Sequence, residues 1–383
     1  MVSKYNRRAR RATRRIKRVL AVALLVVAVV ELASAGLIES GILAAQRPSY
    51  RMPKLQPFWI DRDPHVGAWH EADTEYEDVT DCYAVTYRTN AYGARDPERK
   101  RKGDSPRVVM LGDGFIEGVG LQRGARISDI LEAETKAEHL NFGSGGHFGA
   151  TQAWLLYKHL AKGFDHDLVV FGLVPDDDFV NDDPALAAAY GRQYRPYLVM
   201  RGGSYYLKYV NPDERGLSAA ERRAEDRRLV ARLLASYTYT ANAVRRIGIL
   251  AHANWTGGPG ATASAEATYS GYFDFTQAQA ERLVHILEQL LDEAGDRQVI
   301  VAVIPRPADF QQAAPPPLTA ILDVLAPAYP NLHVIDLRER FRQDAARAGY
   351  YRDCRRFFSP AGAAAAAGAL LADPVYRAAL GLK

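Results

Sequence analysis

Cysteine is nearly absent: Cys82 and Cys354 are the two among 383 residues. Neither has metal-ligand spacing, so a zinc site built from cysteine alone is excluded, and no metal or other cofactor is expected. In an oxidising compartment an even pair suits a disulfide. Cys82–Cys354 is the expected bridge, the alternative being two unrelated buried thiols. Acidic residues are missing from residues 1–18, which carry nine Lys or Arg. Setting that stretch aside leaves 40 basic against 45 acidic residues, so the body of the chain is net acidic. A nucleic-acid partner would need a basic face on the folded part, and this balance gives none. Glycine (30) and proline (20) are too few for a collagen-like or disordered chain. The 48% hydrophobic content fills the core of one large domain or two ordinary ones.

The basic start leads into an apolar run, Val19 to Val30, interrupted by Glu31 and resumed by Leu32–Ile38. As a signal peptide it has a charged start, an apolar core and an Ala33-Ser34-Ala35 cleavage pattern. As a membrane anchor, residues 19–38 reach about the 20 residues a bilayer needs. Glu31 would then cost about 2.5–3.5 kcal/mol at the centre. Twin-arginine recognition at Thr13-Arg14-Arg15 is a third reading. The anchor is preferred: a cytoplasmic tail at 1–18, a single span, and the rest of the chain outside the cytoplasm by the positive-inside rule. The membrane is therefore the first expected partner.

Residues 47–105 read as an irregular, partly β lead-in with an alternating patch at Tyr83–Tyr87, closed by the basic run 99–102. Strand-type apolar runs follow at Val108–Leu111, Leu140–Phe142, Leu168–Val174, Val299–Ile304 and Leu332–Leu337. Helical patterns lie between them at Ile127–Leu140, Thr151–Ala161, Ala278–Ala294 and Pro317–Leu325, and an Ala-rich closing helix at 361–372. Alternation of this kind predicts a five-stranded parallel sheet covered on both faces, over residues 106–375. Residues 183–275 break the rhythm with a Tyr/Arg-rich insertion, a helix at 219–247 and a Gly/Ala/Ser stretch at 257–268.

Open α/β sheets present their sites at the carboxyl ends of the strands. Those ends read Gly112-Asp113-Gly114-Phe115, Gly143-Ser144-Gly145-Gly146-His147, Pro175-Asp176-Asp177-Asp178 and, near the end, Arg355-Arg356-Phe357-Phe358-Ser359-Pro360. In this order the four blocks resemble the SGNH (GDSL-type) hydrolases. They are most similar to the membrane-anchored, extracytoplasmic branch associated with cell-envelope polysaccharide, which the Thr89–Asp96 lead-in also resembles. The resemblance covers roughly residues 85–375 and implies a flavodoxin-like three-layer sandwich. It also implies a Ser nucleophile, an oxyanion hole from a Gly amide and an Asn, and a late Asp/His pair as base.

This chain departs from that pattern at each reactive position. Gly114 stands at the nucleophile, and Asp177 stands at the Asn, where an ionised carboxylate accepts and cannot donate. Arg355 and Phe357 stand at the Asp and His, and no histidine follows His333. A Gly amide near Gly145 and Gly146 is what remains of the oxyanion apparatus.

Three weaker constellations complete the reading. Asp177 is expected to pair with Arg355 or Arg356, unless those arginines are solvated loop charges. Asp113, Asp176, Asp177, Asp178 and Asp182 could converge on a hard cation, but caps of helix starts and turns explain them better. His147 could serve Ser144 as a displaced base, although adjacency in a Gly-rich loop does not aim one at the other. His70 and the other histidines lie outside the blocks. Tyr205, Tyr206, Tyr237 and Tyr239 suit sugar stacking, with helix packing the commoner role. The expectation is an SGNH-like envelope protein without hydrolytic chemistry, binding a carbohydrate, an acylated polysaccharide or a protein partner. The alternative is an esterase or O-acyl transferase with a rearranged site.

Overall fold

The structure is a computed structural model and describes residues 2–50, 52, 61–79, 83–103, 106–145, 148–186, 194–210, 219–255, 270–352 and 357–382. Cys82, Gly146, His147, Cys354, Arg355 and Arg356 fall outside these residues. So do the Cys82–Cys354 bridge, the Asp177 pairing with Arg355 or Arg356, and the His147 base. The chain forms two compact units. One joins Met1–Leu55, Val79–Ala84 and Ser218–Gly257; the other holds the remainder.

In the first unit, α1 (Val2–Glu39) packs with α7 (Tyr239–Trp255), and α6 (Ala219–Tyr237) packs with α7. Among the described residues one helix, Arg14–Glu39, is long and apolar enough to cross a membrane. The single helix expected over 219–247 is two helices broken at Thr238. Its hydroxyl accepts from the Ala241 amide at 3.3 Å and starts α7 as a cap.

In the second unit, β1 (Asp61–Asp63) pairs antiparallel with β2 (Gly67–Trp69), and β3 (Glu75–Val79) lies beside β4 (Ala84–Arg88). Within the region read as an insertion, β8 (Arg195–Arg201) and β9 (Ser204–Val210) form a hairpin that the sequence reading missed. Its two-residue turn is Gly202-Gly203, both at positive φ, as a twisted hairpin requires.

The main sheet comprises β5 (Arg107–Gly112), β6 (Glu138–Gly143), β7 (Leu168–Leu173), β10 (Gln298–Val303) and β11 (Leu332–Asp336). All pairs are parallel, in the spatial order β6-β5-β7-β10-β11. That is the flavodoxin-like 2-1-3-4-5 order, whose switch point falls between the first and third strands. Val109 lies opposite Leu140 and Val169, and Val301 opposite Phe171 and Val334. These strands read as unbroken apolar runs because both faces are buried. Val109 and Leu111 enter one core with α4 (Ala150–His159) and α8 (Gln277–Ala294). Val108 and Met110 enter another with α3 (Ile127–Thr135), α11 (Pro360–Leu371) and α12 (Pro374–Ala379). The helix expected to reach Leu140 stops at Thr135, because Lys136 turns left-handed (φ 63°) and the chain enters β6.

Helix α8 shows how local sequence sets these layers. Leu283, Ile286, Leu287, Leu290 and Leu291 form its buried stripe, each contributing about 1.5–3 kcal/mol. Its start is a capping box: Thr276 Oγ1 accepts from the Gln279 amide at 3.3 Å, and the Thr276 amide donates to Gln279 Oε1 at 2.8 Å. Thr276→Ala should lower the stability of the second unit by about 1 kcal/mol, read as a lower melting temperature with an unchanged far-UV spectrum.

Candidate functional site

Because every strand of the main sheet runs the same way, the turns after β5, β6 and β7 share one edge. Gly112 closes β5 at φ 146°, a conformation that favours glycine, and a Cβ there would lie 2.8 Å from the Gly172 carbonyl oxygen. Asp113 then caps the short helix α2 (Gly114–Glu117), its Oδ1 accepting from the Phe115 amide at 2.9 Å.

Gly114 opens α2, and the space its side chain would need is taken. A Cβ on Gly114 would lie 2.6 Å from Cε1 and 2.9 Å from Cζ of Phe357, and 2.8 Å from Cγ2 of Val119. Phe357 is held there by an edge-on contact with Phe115, with 5.2 Å between ring centres. The two positions at which the resemblance calls for Ser and His are thus brought together, as a bare Cα and a phenyl ring in contact. Nothing at Gly114 or Phe357 can attack a carbonyl or move a proton.

Ser144 follows β6, its amide donating to the Gly112 carbonyl at 3.0 Å. The residue is 1% exposed, and among the described residues its hydroxyl finds no hydrogen-bond partner. The next amide, Gly145, donates to the carboxylate of Glu117. That amide, which the resemblance assigns to an oxyanion hole, already serves a buried anion.

Glu117 is the residue that sequence reasoning missed. It is fully buried, with His70 Nε2 3.7 Å from its Oε2. Arg95 Nη1 donates to the carbonyls of Glu117 at 3.1 Å and Gly118 at 2.6 Å, and Nη2 to that of Leu121. The Arg95 guanidinium also lies over the Tyr87 ring, 3.9 Å from its centre. Burial works against a charge on Glu117, yet His70, Arg95 and the Gly145 amide hold its carboxyl below the usual range. Burial, with Arg126 close by, draws Arg95 down to about 10.

The Thr89–Asp96 segment exists to aim these groups. Asn90 Oδ1 accepts from the Tyr92 and Ala94 amides at 3.0 and 3.1 Å, and its Nδ2 donates to the Pro97 carbonyl. That turn presents Arg95 to α2 and sets the Gly93 carbonyl 2.9 Å from His70 Nδ1. A buried acid ending a four-residue helix leaves no periodic signal. The Asn-x-x-Gly-x-Arg spacing was the cue available.

The acidic residues divide among local tasks. Asp177 and Asp178 lie on α5 (Pro175–Asn181), where Asp178 accepts from the Val174 amide at 2.7 Å. Asn181 Nδ2 donates to Asp177 at 2.8 Å, Asp182 accepts from the Thr151 amide at 3.2 Å, and Asp176 stands 3.4 Å from Arg306 Nε. Among the described residues no group of three or more His, Cys, Asp or Glu is placed to hold a metal ion. Burial, with Asp177 beside it, pushes Asp113 well above the carboxylate range, and burial together with Asp113 does the same to Asp178. Burial raises Asp182 to about 6 and Asp309 to about 7. The Asp309 carboxylate accepts from the Ser270 hydroxyl and, at 2.6 Å, from the Arg306 amide.

No family model matches the chain, and no curated protein sequence matches it. Solved structures similar to it include a protein described as lipolytic, of the G-D-S-L family, from Desulfitobacterium hafniense. That one is 11% identical, covering 69% of this chain and 97% of the other, with a TM-score of 0.36. A lipase/acylhydrolase from Enterococcus faecalis is 12% identical over 72% and 96%, with a TM-score of 0.38. A carbohydrate esterase of family 2 from Myceliophthora fergusii, solved with its carbohydrate-binding domain, is 12% identical over 75% and 69%, with a TM-score of 0.37. At that level no activity of theirs passes to this chain.

Two outcomes follow from the geometry. Gly114→Ser should destabilise the second unit by about 1–3 kcal/mol through overpacking. Phe357→Ala in the same chain should recover part of that loss, a coupling read from the thermal melts of a double-mutant cycle. The buried acids set a pH dependence of definite sign. Their folded pKa values lie above the unfolded value near 3.8, so the folded state binds more protons between about pH 4 and pH 7. That stabilisation is fully present below about pH 4 and is lost as pH rises through about 7. The full chain in detergent should melt higher at about pH 5 than at about pH 8, and Asp309→Asn should flatten the difference.

Proposed function

We propose that this chain is a membrane-anchored, SGNH-type envelope protein without hydrolytic activity, acting as a binding or assembly component outside the cytoplasm. The observation that carries the reading is the Phe357 ring in the space of a residue-114 side chain. A serine hydrolase needs a hydroxyl, a base in reach and donors aimed at the developing oxyanion. Here the first two positions hold Gly114 and Phe357, and Asp177 stands where the third should donate. The rival reading, an esterase or O-acyl transferase using Ser144, asks a residue that is 1% exposed to meet a substrate.

The ligand we propose is a carbohydrate or acylated polysaccharide. Beside Tyr351 a groove is lined by Pro307, Phe310, Gln311, Arg347 and Arg352. The Arg347 guanidinium lies 5.2 Å from the centre of the Phe310 ring. Flat rings and fork-shaped donors are the groups that hold sugar faces and carboxylate or ester oxygens. Anchoring by the Arg14–Glu39 helix, with residues 1–18 in the cytoplasm, follows from the excess of Lys and Arg on that side.

The purified chain should turn over no simple aryl ester above buffer and take no label from a fluorophosphonate probe. Labelling that disappears in Ser144→Ala would overturn the reading. Gly114→Ser combined with Phe357→His should be the variant that gains probe reactivity, since it restores hydroxyl and imidazole together.

A further inference from the structure

In the first unit, α1 is exposed on all sides from Val19 to Val29, then acquires a covered face. Ser34 and Ile38 are buried, and Glu31 and Ala35 are half-buried, a stripe at helical spacing, whereas Leu32 on another face is 73% exposed. Two small residues in such a stripe let a neighbouring helix approach closely, and α1 packs with α7. The contact is polar at one place. Glu31 accepts from the Tyr239 amide at 2.6 Å, from the Thr240 amide at 3.0 Å and from the Thr240 hydroxyl at 2.6 Å. The acid that interrupts the apolar run is the acceptor for the amino end of α7, where free amides and the helix dipole favour an anion.

Depth follows from length. With 1.5 Å per residue, Glu31 lies about 12 Å along α1 from Glu39. A span of about 30 Å starting at Val19 reaches about residue 38. The amino end of α7 therefore meets α1 within the thickness of the bilayer. Its exposed residues suit that place. Val244, Ile247 and Leu250 are exposed and lie along one face at 100° per residue, with Arg246 at the border beside Leu250 and Arg245 turned away from it. On α6, Val230, Leu234 and Tyr237 form a second exposed stripe. The two helices carry seven arginines against three acids. An apolar stripe bordered by cations is the pattern of a helix lying in a membrane interface.

We propose that α6 and α7 form a second membrane-contacting element, docked on the anchor through Glu31. The Val244–Ile247–Leu250 face rests among acyl chains and the arginines lie at phospholipid headgroups. The occupant of this surface is the bilayer from which α1 emerges. This rests on α1 being a retained anchor and goes beyond the reading of the hydrolase-like site, on which it does not depend.

The test places benzoylphenylalanine, one position at a time, at Leu25, Ile247 and Val324 of the full chain. The protein is reconstituted in phosphatidylcholine–phosphatidylglycerol vesicles, and lipid adducts are read by mass after irradiation. Val324 is 79% exposed on α9 (Pro317–Leu325), in the second unit and outside the proposed element, and sets the reference level. Adducts at Leu25 and Ile247, several-fold above Val324, are expected. Labelling at Leu25 with Ile247 no higher than Val324 would overturn the proposal while sparing the anchor. Loss of the Leu25 position by cleavage, or its failure to label, would remove the anchor and the proposal with it. Glu31→Leu should lower labelling at Ile247 several-fold and leave Leu25 unchanged; equal labelling at Ile247 would overturn the docking role of Glu31.

Discussion

One volume at the end of β5 is claimed by two residues, and the structure turns on which of them has it. With Phe357 packed against Phe115 and over the bare Cα of Gly114, the first turn cannot carry any side chain at residue 114 without displacing that ring. The occupation extends a hydrophobic core rather than merely plugging a hole. Phe358 stacks edge-on against Phe115 at 4.7 Å, and Phe341 against Tyr350 at 5.0 Å. A hydroxyl and an imidazole in this half-dry setting would each need partners to offset their desolvation. Replacing both by apolar surface removes that requirement in one step, whereas replacing either alone would leave the other without its partner.

The polar frame around the same turn has a different logic. Arg95 is consumed by three backbone carbonyls of α2 and the loop after it, groups that an isolated short helix leaves open at its carboxyl end. Glu117 accepts from the Gly145 amide. These bonds satisfy backbone and fix the shape of the turn. Removing either Arg95 or Glu117 would strand a buried charge.

The sheet was legible because a strand buried on both faces must be apolar throughout, and five such runs stood between amphipathic segments. Helix ends were less so: Lys136 and Thr238 end or divide helices through backbone conformation and a hydroxyl cap, which periodicity does not register. The β8–β9 hairpin hid behind exposed Tyr and Arg, its signal confined to Gly202-Gly203. At the site, the spacing to Pro360 located Phe357, yet no spacing could say that its ring rests on Gly114. His70 and Glu117 meet only in three dimensions, and no spacing between the two of them announces the contact. Asp113, Asp178 and Asp182 each accept from a backbone amide, because an Asp next to a free amide serves that amide first.

Glu31 and Glu117 follow one rule in two settings. Each is an acid placed where burial or an apolar run opposes a charge, and each accepts from backbone amides: Tyr239 and Thr240 in one case, Gly145 in the other. A carboxylate that accepts amide hydrogens carries its solvation with it and tolerates a low dielectric that an unpaired one does not. Read as composition, Glu31 is a flaw in an apolar run. Read with its acceptor role, it is the point at which α1 stops being exposed on all sides and becomes one helix of a packed unit. The same residue type therefore marks a helix contact in the first unit and a closed turn in the second, and in neither is it free for chemistry.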